Sequence, residues 1–155
     1  MRALAHPLRL RILRVTLHRP LTNKQIAQRL DRDPGTVLHH VRALVAAGFL
    51  AAQDVRSGKR GALERPYRAT GKSWRVRMLP NRGYAVSVLD AVRDEVIESG
   101  EQSALAVVRL GVRLSAKDLA ELRKRITEIG DVFAIRDDPD GEPVGILGMI
   151  YRREP

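Results

Sequence analysis

Apolar residues in the first thirty positions recur with the period of an α-helix and predict two helices. The first covers 3–17, and its apolar positions are Leu4, Leu8, Ile12 and Val15. A second, shorter helix begins at Thr22, because Thr22 and Gln25 have the spacing of a capping box, in which each side chain binds the other residue's backbone N–H. Its apolar face, formed by Ile26, Ala27 and Leu30, is predicted to point into a core.

A third helix follows after about three residues. Asp33-Pro34 is a typical start, since the carboxylate accepts hydrogen bonds from the first turn and proline lacks only an N–H that has no partner there. The helix runs over 34–47, and Gly48 stands where a left-handed glycine usually ends a helix. Two helices with this separation have the spacing of a helix-turn-helix.

A basic hairpin is predicted directly after the third helix. Residues 49–54 and 62–69 have the composition of strands, and the glycine-containing turn 55–61 joins them. A hairpin in this position is the wing of a winged helix-turn-helix domain, which we assign to residues 1–72.

Residues 73–99 are predicted to form a connector and a long dimerisation helix. The polar side chains Ser87, Asp90, Asp94 and Glu98 fall on one narrow stripe of the helix 81–99, and apolar side chains cover most of the rest. An apolar surface this wide exceeds what a single core contact uses, so we expect burial against the chain's own domain and against a partner subunit. The predicted dimer contacts are Tyr84, Val88, Leu89, Val92 and Val96.

Residues 100–155 are predicted to form a small C-terminal α+β unit. Apolar residues alternate over 104–114, which predicts a strand, and a second capping box at Ser115 begins a helix that reaches about Arg136. A turn-rich segment leads to a last strand over 144–151. The predicted fold class is therefore α+β: a winged helix-turn-helix, a long helix and a strand–helix–strand unit.

Charge distinguishes the two halves of the chain. Residues 1–78 hold 17 Lys and Arg against four acidic residues, whereas residues 79–155 hold 11 against 14. The abundance of arginine does not by itself explain why acidic residues are scarce in one half only. We therefore predict that the N-terminal half binds a polyanion.

Several segments of the first half resemble the ArsR/SmtB-type winged-helix regulators. They are AHPLRLRIL at 5–13, TVLHHVRAL at 36–44 and AGFL at 47–50, and RPYRAT at 65–70 is similar to the second wing strand of that family's relatives. The resemblance covers about residues 3–72. It implies a bacterial or archaeal homodimer that usually represses its target by occupying an operator in double-stranded DNA.

The third helix of such a domain enters the major groove with its outward residues at the base edges. We expect base contacts from Thr36 and His39, while Arg42 is placed either to bind guanine or to hold a phosphate. Gly35 either allows close approach to DNA or is merely tolerated, and His40 is either packed or turned to a phosphate. Further contacts, mainly to phosphate or the minor groove, are predicted for Lys24, Arg32, Arg56, Ser57, Lys59 and Arg60.

Composition disfavours several other functions. The chain has no cysteine and its four histidines all lie in the first 40 residues, so we predict no metal site and no cofactor. The motifs of common enzyme classes are absent from the sequence, and no apolar run approaches the ~18 residues of a membrane span. We expect a cytoplasmic protein without enzymatic activity; a small-molecule effector stays open, and a winged helix that docks protein or RNA is the alternative.

Overall fold

The computed structural model describes residues 2–58, 61–75, 82–100, 104–138 and 140–153, and it divides into two compact units, Met1–Ser103 and Ala104–Pro155. The first unit contains a 3-10 turn, Arg2–Leu4, and the helices α1 Pro7–Val15, α2 Asn23–Arg29, α3 Pro34–Ala46, α4 Lys72–Arg75 and α5 Arg82–Ser99. Its strands are β1 Leu21–Thr22, β2 Leu50–Ala52, β3 Arg56–Ser57, β4 Leu63–Glu64 and β5 Pro66–Ala69. The second unit contains the helix α6, Ala116–Ala134.

The first unit has the predicted winged helix-turn-helix architecture. Strands β1, β5 and β2 form an antiparallel sheet in that order, and β3 pairs with β4 in a separate two-stranded hairpin. The hairpin lies at the predicted position of the wing, but the prediction of its strands was inexact. Arg56–Ser57, within the predicted turn 55–61, form β3, and the predicted strand 62–69 is divided into β4 and β5. Strand β1 was not predicted, because two residues between a proline and a helix cap carry no period, and only the pairing of Leu21 with Tyr67 reveals it.

One apolar core joins the three N-terminal helices to the sheet. Its buried members are Leu4, Leu8, Ile12, Leu13, Leu21, Ile26, Ala27, Leu30, Val37, Val41, Leu44, Phe49 and Leu50. They come from the helical faces that the periodicity predicted. Burial of these side chains is the main favourable term that holds α3 in place.

The helix ends confirm most of the predicted caps. Thr22 Oγ1 accepts a hydrogen bond from the Gln25 backbone N–H at 3.2 Å, and Gln25 Oε1 accepts one from the Thr22 N–H at 2.9 Å. Gly48 has a φ of +73°, the left-handed conformation expected after α3. The prediction for the first helix was too long: α1 begins at Pro7, since His6 is its N-cap and accepts from the Leu8 N–H at 3.2 Å.

Helix α5 turns its polar face toward α1, whereas its sequence favours burial of the apolar face. The polar stripe lies against α1: Ser87 is 6% exposed, while Asp94 Oδ2 is 3.5 Å from Arg11 Nη1 and Glu98 also pairs with Arg11. Arg11 is itself 3% exposed. The periodicity of α1 did not predict an arginine on its buried side, and this arginine draws the carboxylates inward.

The second unit departs from the predicted strand–helix–strand arrangement. Helix α6 begins at the predicted cap, where Ser115 Oγ accepts from the Asp118 N–H at 3.1 Å, and it ends at Ala134. Residues 104–115 and 142–153, which are described throughout, are assigned to no strand. The two strands predicted within them are therefore not formed, because a strand requires a hydrogen-bonded neighbour and not only an alternating sequence.

In the described ranges, no helix combines the length and the apolar character needed to cross a lipid bilayer.

His40 lies in the interior between α1 and α3. It is 8% exposed, its Nδ1 accepts a hydrogen bond from Arg9 Nε at 3.2 Å, and its ring centroid is 4.4 Å from that of His6. Burial lowers the pKa of His40 to about 4, and the positive charges of His6, Arg9 and His39 act in the same direction. Burial, followed by Arg9, also lowers the pKa of His6. His40 is therefore a packed, neutral histidine, which corrects its inclusion among the predicted DNA contacts.

Acid should destabilise the fold through His40. An unfolded histidine titrates near pH 6.5, so between about pH 6.5 and 4 the unfolded chain binds a proton that the folded chain does not. The free energy of unfolding should fall as pH decreases through this window, and His40 should contribute no further loss below it. In urea titrations across this range, His40→Gln should flatten the dependence by up to about 1.4 kcal/mol per pH unit.

His18→Gln is the matched control, because His18 is exposed and lies outside this cluster. Carboxylate titration is common to all three proteins, so a difference in slope between the two variants reports on the buried position of His40. Equal slopes for the wild type and His40→Gln would show that His40 does not titrate differently on folding.

Truncation of the inner face of α3 should be severe. Leu44 is fully buried, so Leu44→Ala should lower the free energy of unfolding by about 2–5 kcal/mol through lost burial and a cavity. The neighbouring Val45 is 36% exposed, and Val45→Ala should change stability by less than about 0.5 kcal/mol. Chemical denaturation measures both, and similar losses for the two variants would contradict the orientation of α3.

Candidate nucleic-acid interface

The outer face of α3 presents a row of polar side chains. Thr36, His39 and Arg42 follow one another at intervals of three residues and are all exposed. Val37 and Val41 on the opposite face have no exposed surface. The core contacts of α3 therefore determine which side chains face outward, and they are the ones predicted from the sequence. We call Thr36, His39 and Arg42 the outer row.

The N-terminus of α3 is fixed by two hydrogen bonds. Asp33 Oδ2 accepts from the Thr36 backbone N–H at 2.7 Å, and Asn23 Nδ2 donates to the carbonyl oxygen of Pro34 at 2.9 Å. Hydrogen bonds from Thr36, with a smaller contribution from Gly35, hold the pKa of Asp33 below its ordinary value. The cap is thus a carboxylate at neutral pH, and Asn23 joins the starts of α2 and α3. Nothing in the sequence pattern singled out Asn23.

Gly35 is explained within the chain. A Cβ atom at this position would lie 3.0 Å from Asp33 Oδ2, closer than side chains usually approach. The missing side chain leaves room for the carboxylate that caps α3. This contact accounts for the glycine without DNA, although it leaves the exposed backbone at the start of α3 accessible to a phosphate.

The wing is attached to the helix-turn-helix by Arg56 in β3. Its Nε lies 3.7 Å from Glu64 Oε2 on β4, and its Nη2 donates to Gln25 Oε1 at 3.5 Å. Gln25 Oε1 therefore accepts hydrogen bonds both in the cap of α2 and from the wing. The contact with the wing could not be predicted from the position of Gln25 in the sequence. Arg56 and Ser57 are exposed, whereas the predicted contacts Lys59 and Arg60 lie outside the described residues.

Lys24 and Arg32 flank the outer row at the starts of α2 and α3. Both are exposed, and both line a surface depression of about 400 Å³ that also includes Asp31 and Asp33. Asp31 closes the turn between α2 and α3 with a φ of +49°, a left-handed conformation that aspartate tolerates better than most residues. The turn thus places two cations beside the cap of α3.

The basic charge belongs to this unit alone. Residues Met1–Ser103 contain 19 Lys and Arg and nine acidic residues, while Ala104–Pro155 contain nine of each, so the net charge of +10 resides in the first unit. The first unit consequently attracts polyanions and the second does not.

Two solved structures of regulators are similar to the chain. One is the adhesin competence repressor AdcR from Streptococcus pyogenes, with 17% identity, coverage of 81% of this chain and 78% of that chain, and a TM-score of 0.39. The other is the transcriptional regulator SlyA, with 20% identity, the same two coverages and a TM-score of 0.38. No curated protein sequence matches the chain.

A protein-family model matches the N-terminal part of the chain. The match covers residues 4–52, and the family is described as a helix-turn-helix domain. These residues contain α1, β1, α2, α3 and β2. The match agrees with the helix-turn-helix arrangement of α2 and α3 in the structure.

Proposed function

We propose that the chain is a sequence-specific DNA-binding transcriptional regulator that inserts α3 into the major groove. The observation that carries this proposal is the exposed outer row of Thr36, His39 and Arg42 on a helix whose other face is fully buried. A rigid helix of this kind fits the major groove, where each base pair presents a distinct set of donors and acceptors.

Within this proposal, the side chains have different tasks. Thr36 and His39 contact base edges, and Arg42 binds guanine with two hydrogen bonds or holds a phosphate. Exposed Lys24, Arg32, Arg56 and Ser57 contact phosphate or the minor groove, together with Lys59 and Arg60 of the wing tip. Phosphate contacts supply affinity and register, whereas base contacts supply sequence preference.

We further propose that the regulator is a homodimer and a repressor of the ArsR/SmtB type, as the quoted segments of the first half imply. Helix α5 supports the dimer because its outward side is apolar: Val86, Leu89 and Val96 are between 46% and 49% exposed. Val88 and Val92 are half-buried beside them, while Tyr84 packs against the core of its own chain. A two-fold dimer would present two α3 helices to successive major grooves.

We propose no chemical class for a small-molecule effector. The depression beside Lys24 and Arg32 is lined largely by charged side chains, which do not favour an apolar ligand.

Two classes of substitution should separate base reading from phosphate contact. Duplexes selected from a random pool would supply the preferred sequence, and fluorescence anisotropy over a salt series would supply affinities for this and for random duplex. Arg42→Ala or His39→Ala should reduce the preference by about 5- to 150-fold, the loss of about 1–3 kcal/mol of base discrimination. Arg56→Ala should weaken both duplexes equally and reduce the salt slope by about one.

Arg123→Ala is the matched control for charge removal, since Arg123 is exposed on α6 in the neutral unit. It should leave affinity, preference and salt slope unchanged. Full sequence preference in the α3 variants would reject the assignment of the readout to α3. Failure of the wild type to bind any duplex in dilute salt would reject the regulator and favour a protein- or RNA-docking module.

Loss of the α5 contact should relax the spacing between half-sites. The double variant Leu89→Ser/Val96→Ser removes exposed apolar side chains from α5. Affinity for a duplex with one half-site should be retained, because α5 does not contact DNA in this proposal. The increase in affinity that a second half-site provides at the optimal spacing should be smaller. Footprinting on duplexes with inserted base pairs measures this effect. Val45→Ser, a similar change on exposed α3 surface, should keep the spacing requirement, and unchanged spacing dependence in the α5 variant would exclude α5 from the dimer.

A further inference from the structure

The second unit leaves its apolar side chains in water. Sixteen large apolar residues between Leu105 and Tyr151 are at least 36% exposed, including Val108 at 83% and Leu110 at 75%. No described side chain of the unit is buried, and its least exposed apolar side chains are the half-buried Leu119, Ile126 and Met149. Soluble monomers seldom expose apolar patches larger than a few hundred Å². The unit therefore lacks a core of its own and needs a covering surface.

The extended segments of the unit belong to no β-ladder among the described residues. Residues 104–115 and 142–153 form no described β-ladder, although 104–114 carry the alternation of a strand. The side chains that share one face are Ala106, Val108, Leu110, Val112 and Leu114. An extended segment that has an apolar face and belongs to no described ladder can pair with another strand.

Charge indicates which surface can cover this unit. Ala104–Pro155 contain nine basic and nine acidic residues, so two copies of the unit do not repel each other, and a net charge near zero favours association. A nucleic acid or a strongly charged protein gains no long-range attraction from a neutral surface. The first units, at +10 each, repel one another. A contact between second units meets no such repulsion.

The exposed area suffices for such an association. Complete burial of an aliphatic side chain removes roughly 60–120 Å² of apolar surface from water. The sixteen side chains are already partly covered, so together they still offer roughly 600–1,100 Å². A stable protein–protein interface needs about 800 Å² from each partner. Burial of most of these side chains would therefore supply an interface of this size.

We propose that the second unit is a self-association module that is completed by the same unit of a second copy of this chain. Segments 104–114 and 144–151 of the two copies pair as strands of a shared sheet. The apolar side of α6, with Leu119, Leu122, Ile126, Ile129 and Phe133, covers that sheet. This contact is separate from the one proposed for α5 and does not depend on DNA binding.

Hydrogen exchange of the full-length wild-type protein tests the proposal. Sedimentation equilibrium first gives the dissociation constant of the dimer, and exchange is then measured above and below that concentration. Amides in 105–114 should be protected above it and should lose protection below it, because strand partners come from the second copy. If these amides are protected in the monomer, independently of concentration, residues 105–114 are covered by the same chain and not by a second copy. Absence of protection at every concentration would exclude the shared sheet, and both results overturn the proposal.

Substitutions in the full chain provide the second measurement. Val108→Asp/Leu110→Asp places two charges on the proposed interface and should raise the dissociation constant about tenfold or more. Thr127→Asp, on an exposed position of α6 away from its apolar side, is the control and should leave the constant unchanged. Equal constants for the double variant and the wild type would reject the interface. Half-site DNA binding reports on the first unit and should persist in both variants, so failure of this proposal and failure of the DNA-binding proposal are distinguishable.

Discussion

The proposed function depends on the burial of one face of α3. Val37, Val41 and Leu44 have no exposed surface, and they fill a core made by α1, α2 and the sheet. Successive residues of a helix are rotated by 100° about its axis. When these three side chains are fixed in the core, the direction in which the outer row points is therefore fixed as well. Helix position, outward chemistry and the site of the wing are thus consequences of the same packing.

Arg11 imposes a second constraint, on helix α5. Its guanidinium is 3% exposed, and its Nε has no hydrogen-bond partner among the described residues. Removing such a charge from water is costly, and the carboxylates of Asp94 and Glu98 offset part of the cost. A packed apolar pair would hold two helices as strongly. What the ion pair adds is selectivity: only one face of α5 carries both carboxylates, so its apolar face must turn away from α1.

Local signals were predicted well, and features that depend on distant partners were not. The caps at Thr22 and Asp33, the glycine at 48 and the inward face of α3 follow from spacing within a few residues. Strand β1 and the inward polar stripe of α5 depend on β5 and Arg11, which lie far away in the sequence. The strands predicted over 104–114 and 144–151 fail for the same reason, since alternation describes a face and cannot supply the neighbouring strand.

The separation of charge between the two units has a physical rationale. A surface that binds DNA must be strongly positive, because it releases counterions from the phosphates on binding. The same charge opposes the approach of a second copy, and this repulsion acts within about 10 Å at moderate salt. Apolar association therefore works best on a surface that carries no net charge, as residues 104–155 do. DNA itself removes the conflict, since its phosphates neutralise the first units. Association through the neutral unit should consequently depend little on salt, whereas DNA binding should depend on it steeply.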